Sequence, residues 1–177
     1  MAEYVAYLGN PYSIKYPWKS LSDSVAALLK PVVAHSSKFD SVEVKVVSAA
    51  PSMPQHSLLC YVVKTRSQSL IAAADFGISV DQLGQDGMTL WRTGDTSVSE
   101  VYQHSWKPEM LAKLVYHEFM HNKLRETNKM HRRKGLAAAI VDAESEQRAA
   151  NSRRMGKRLH RKQAQWLGGF SLLGAVE

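Results

Sequence analysis

The stretch KLVYHEFMHNKL, residues 113–124, decides how this chain is read. It sets His117 and His121 four positions apart, with Glu118 directly after the first. On a helix, residues at that spacing share a face, with their β-carbons about 5–6 Å apart. Both imidazoles can then reach one metal ion, each through a nitrogen at about 2.0–2.1 Å. Glu118 projects roughly 100° around the helix from His117, and so flanks such an ion as a proton acceptor without binding it. Leu111, Leu114, Val115, Phe119, Met120 and Leu124 place apolar groups nearly all round, which predicts a helix central to a core. A buried carboxylate among them needs a compensating partner, because an unpaired buried charge is costly. The helix is expected to run from near Ser105 to about Leu124. Ser105 is its candidate cap, Pro108 lies in its first turn, and Glu109 favours its positive end.

Upstream, residues 20–37 (SLSDSVAALLKPVVAHSS) read as a helix that Pro31 ends or kinks. In residues 41–49, Val42, Val44 and Val46 alternate with polar neighbours, the pattern of a half-buried strand. Residues 57–65 (SLLCYVVKT) and 69–80 (SLIAAADFGISV) are further strand candidates. Residues 81–87 form a turn-rich loop, and a short strand precedes Thr93, Gly94 and Asp95. A helix, then several strands, then the histidine helix is an α+β order.

The 177 residues suit one domain with an appended arm, and 45% hydrophobic content is enough for an ordinary core. The single cysteine, Cys60, excludes an intrachain disulfide and reads as an inert core thiol. The N-terminal stretch lacks the basic start and apolar run of a signal peptide. No apolar run approaches the roughly 20 residues that span a membrane. The expectation is a protein made in the cytoplasm without a signal peptide. The net charge of +7 is unevenly placed. Residues 1–121 hold 10 Lys and Arg against 11 Asp and Glu, whereas residues 122–177 hold 13 against 5. The last third therefore reads as an attached interaction segment.

His117-Glu118-Phe119-Met120-His121 is an HExxH motif, and with the element order over residues 20–124 the chain resembles the zincin metallopeptidases. That resemblance implies a small twisted mixed sheet packed on the HExxH helix, with an edge strand that aligns a peptide substrate. It implies a Zn2+ cofactor held by His117 and His121, with Glu118 as general base for peptide hydrolysis by metal-activated water. The pattern departs from the metzincin branch, which would require glycine at Leu124 and histidine at Thr127. His131 is the first choice for a third ligand, and other branches would point to Asp142 or Glu144. Tyr102, Tyr116, His104 and Arg92 are candidates for an oxyanion partner.

Residues 148–162 carry Arg148, Arg153, Arg154, Lys157, Arg158, Arg161 and Lys162 with no acid. Arg154, Arg158 and Arg161 share a helical face, as do Arg153 and Lys157. No stacking aromatics interleave with them, which favours an acidic protein surface over nucleic acid as partner. The last residues (WLGGFSLLGAVE) are apolar and suit docking on this domain or on a partner. The organisation expected is a zincin-like domain over residues 1–141 and a basic helical arm with an apolar tail over residues 142–177. The run YHEFMHNKLRETNKMH, followed by GLAAAIV, is similar to small zincin-type proteins encoded among tail genes of phages infecting actinobacteria. That likeness implies a virion component, either a hydrolase carried in a tail or a structural assembly subunit on the same fold.

Overall fold

The computed structural model describes residues 2–34, 39–52, 57–74, 77–91 and 97–124. The chain opens with a strand, β1 (Ala2–Gly9), not with the helix that the sequence pattern puts first. Tyr4, Ala6 and Leu8 alternate inward along it. Helix α1 (Trp18–Val33) follows, burying Leu21, Val25, Leu29 and Val32 at helical spacing. It runs past Pro31 and ends two residues later. A proline in the last turn removes one backbone bond there without interrupting the helix before it.

Strand β2 (Phe39–Val47) and strand β3 (Leu58–Val63) come next. The alanine-rich stretch expected as a strand instead forms a single helical turn, α2 (Leu70–Ala73). Ser69 caps it by accepting from the Ala72 N–H. The residues after it include one 3-10 turn, Val80–Gln82. Two strands, β4 (Gly87–Trp91) and β5 (Ser97–Tyr102), occupy the region where one short strand was expected. Helix α3 (Pro108–Leu124) closes the described chain. Pro108 is its first residue, and the carbonyl of Lys107 accepts from Met110 and Leu111, so Lys107 rather than Ser105 stands at the cap.

The five strands form one mixed sheet in the order β2-β1-β3-β5-β4. β1 lies parallel to β2 and β3, and β3 lies parallel to β5. β4 is antiparallel to β5 and occupies an edge. Period-two alternation sends neighbouring residues of β3 and β5 to opposite faces. Val62 and Val101 join Leu8, Leu29, Leu111, Val115 and Phe119 in the main core, under α1 and α3. Val63 and Tyr102 join Ile71 and Leu83 in a smaller core behind the sheet. The architecture is α+β, with two long helices on one face and a short helical cap on the other. Among the described residues no helix is long and apolar enough to cross a membrane.

Candidate metal centre

α3 is buried along most of its length, between α1 and strands β3, β5 and β4. Met110, Leu111, Ala112 and every residue from Leu114 to Met120 are buried, which agrees with the apolar groups seen all round it in the sequence. His117 is 6% exposed and Glu118 5%, whereas His121, one turn on, is only partly covered. The site is thus deep at His117 and opens toward His121.

The two imidazole rings lie with centroids 5.0 Å apart and planes inclined by 71°. Two imidazoles bound to one tetrahedral ion through nitrogens at about 2.0–2.1 Å would hold their ring centres roughly 5 Å apart. The spacing of the two rings is therefore compatible with a shared cation. Among the described residues, no group of three histidine, cysteine, aspartate or glutamate side chains is arranged to hold an ion. His131, Asp142 and Glu144, the three ligand candidates, lie outside the described residues, as does Arg92. So do Arg153, Arg154, Lys157, Arg158, Arg161 and Lys162, the apolar tail, and the boundary near residue 141.

Glu118 points at the end of the sheet. Thr89 of β4 donates its hydroxyl to Glu118 Oε2 at 2.6 Å. Thr89 and Ser99 are partners across the β4–β5 ladder, with hydroxyl oxygens 2.7 Å apart. Asn122 Nδ2 donates to Ser99 Oγ at 2.8 Å. Gly87 lies on the same strand face, where a β-carbon would come within 2.8 Å of Glu118 Oε1 and 2.9 Å of the Glu100 carbonyl oxygen. Only glycine leaves room for the carboxyl there. Burial pushes the Glu118 carboxyl up to about 8; the Thr89 hydrogen bond pulls the other way, and the carboxylates of Glu100 and Asp86 add to the rise.

No family model, characterised protein or solved structure matches this chain. Cys60 faces this site from β3, and burial raises its thiol well above the ordinary range, which makes it a poor nucleophile. Tyr116 packs against Phe119, with ring centroids 5.8 Å apart. His104 is exposed in a turn at a φ of 46°. Tyr102 is on the other face of the sheet, where its hydroxyl donates to Glu100 at 2.8 Å.

Glu100 carries no signal in the sequence beyond a carboxylate at an inward position between Val98 and Tyr102. It is fully buried and accepts from the Ser69 hydroxyl, from the Leu70 and Ile71 N–H groups at 2.9 and 3.3 Å, and from Tyr102. These donors hold α2 against the sheet, which explains why residues 70–73 are helical. Glu100→Ala strands four donors, three of them buried, and is expected to cost on the order of 3–5 kcal/mol, read as a fall in melting temperature. Zinc affinity of the folded fraction should stay unchanged, since Glu100 faces away from the histidines.

Proposed function

We propose that this chain is a zinc-dependent metallopeptidase on a zincin-like fold, with His117 and His121 as ligands, His131 as third ligand and Glu118 as general base. The observation that carries the reading is the histidine pair, 5.0 Å between ring centres, beside a buried carboxyl one residue away. The sheet adds support. β4 is an antiparallel edge strand beside the motif helix, and an edge can take an extended peptide through main-chain hydrogen bonds.

A bound divalent cation would supply the polarisation that makes water nucleophilic near neutral pH and a peptide carbonyl electrophilic. Glu118 takes one proton from that water as its oxygen attacks the carbonyl carbon. When the carbon–nitrogen bond breaks, Glu118 delivers the proton to the leaving amine. An opposite charge within about 4–6 Å favours the ionised form of a carboxyl. A cation on the histidines would therefore favour the ionised, basic form of Glu118, whose carboxyl burial otherwise pushes up to about 8.

The test is hydrolysis of casein or a fluorogenic peptide library by purified protein. Activity should vanish on chelation and return with about one equivalent of zinc. Activity that survives exhaustive chelation would sink the proposal.

The charge distribution favours a second, compatible reading. With 13 Lys and Arg against 5 Asp and Glu after residue 121, the chain could serve as a phage tail or virion assembly subunit that uses the fold without catalysis. Arg153, Arg154, Lys157, Arg158, Arg161 and Lys162 would then bind an acidic surface on a tail protein or on another copy. Assembly that is salt-sensitive, depends on those six residues and survives Glu118→Gln would support it.

A further inference from the structure

We propose that Asn122, Ser99 and Thr89 form a one-way chain of donors that aims the Glu118 carboxyl, with Thr89 as the positioning residue. The inference rests on the reading of Glu118 as general base and extends it to three residues that no motif contains. When Glu118 is ionised, as a general base must be, it can only accept, and Thr89 then donates its single hydroxyl hydrogen to Glu118 Oε2, 2.6 Å away, with the Glu118 carbonyl oxygen a longer alternative at 3.3 Å. The Thr89 oxygen is then free to accept from Ser99, and the Ser99 oxygen accepts from the Asn122 amide. With Glu118 ionised, the links run in one direction, toward the carboxylate. Links aligned this way polarise one another.

The chain is also closed in space. Asn122 lies one turn beyond Glu118 on α3, while Ser99 and Thr89 stand on β5 and β4. The carboxyl is thus tied back to its own helix through two strands, and the absent side chain of Gly87 leaves the space in which its other oxygen sits. Ser99 and Asn122 are buried at 0% and 2% exposure, so water does not compete for the bond between them, and Thr89 is partly buried. A glutamate on a solvent-facing helix would lose several rotamers on meeting a substrate. Here that ordering is complete beforehand, the condition under which a base acts on a fixed near-attack geometry.

Thr89→Val keeps the shape and removes the hydroxyl, Thr89→Ser restores it, and Ser99→Ala keeps Thr89 but takes away its donor. On a fluorogenic peptide with zinc-loaded protein, Thr89→Val should lower kcat about 10- to 100-fold while leaving KM and zinc affinity within about twofold. Thr89→Ser should return most of the loss, and Ser99→Ala should show a smaller fall, about 3- to 10-fold. Crystal structures give a readout that needs no activity: in Thr89→Val the Glu118 carboxyl should leave β4, and in Thr89→Ser it should return. If kcat of Thr89→Val is unchanged, or its carboxyl stays in place, the positioning role is overturned. Should the wild-type protein show no zinc-dependent hydrolysis, the general-base reading falls instead, and the carboxyl positions in the two crystal structures still decide whether the chain aims Glu118.

Discussion

Glu118→Gln is expected to make the metal-free protein more stable while lowering hydrolysis by orders of magnitude. The carboxyl has an ordinary value of 4.5 and sits at about 8 in the folded, metal-free chain. The folded state therefore holds this proton more tightly than the unfolded one. Linkage then lowers stability as pH rises from about 4.5, and the loss is complete above about 8. A shift of that size corresponds to roughly 5 kcal/mol between the protonated and ionised forms. Glutamine matches the shape, stays neutral at every pH and can still meet the Thr89 hydroxyl. In a chelating buffer, wild type and variant should melt together near pH 4. By pH 9 the variant should melt higher by roughly 10 °C or more. Hydrolysis in the zinc-loaded state should fall by about 10²–10⁴, the usual contribution of a positioned acid–base group. A buried glutamate that costs stability and is kept for chemistry is the combination expected at an active site. Parallel pH–stability curves for the two proteins would remove that argument.

His117→Ala and His121→Ala should each abolish stoichiometric zinc binding, with affinity falling on the order of 10³-fold. The two differ in their second effect. His117 is buried at 6% exposure, so its truncation also opens a cavity and lowers stability by roughly 1–3 kcal/mol. His121 is partly exposed, and its truncation should leave the metal-free melting temperature nearly unchanged. Titration with zinc, followed by thermal melting with and without the metal, checks both effects. Full zinc retention by either variant would place the ion elsewhere.

The helix that carries the site was legible in the sequence because its signals agree. The apolar residues surround it, Pro108 opens it, and the histidines fall at helical spacing. β3 was legible as a continuous run of β-branched and apolar residues. β1 was not, because Tyr4 and Ala6 break up an alternation that only Leu8 makes obvious. The turn α2 reads as a strand in isolation. Its helical form depends on Glu100, some 30 residues later, accepting its first N–H groups. The hydroxyl pair Thr89 and Ser99 has no local signal at all. It becomes visible only when the β4–β5 register brings the two residues opposite each other beneath Glu118. The motif thus marks the reacting groups, while the residues that hold them in place arise from strand pairing, which sequence spacing does not encode.

The most direct measurement is anomalous diffraction at the zinc edge from crystals grown with one equivalent of the metal. A single peak should lie about 2.0–2.1 Å from one nitrogen of His117 and one of His121. An empty map between those rings, or a peak bound only to other side chains, would contradict the account.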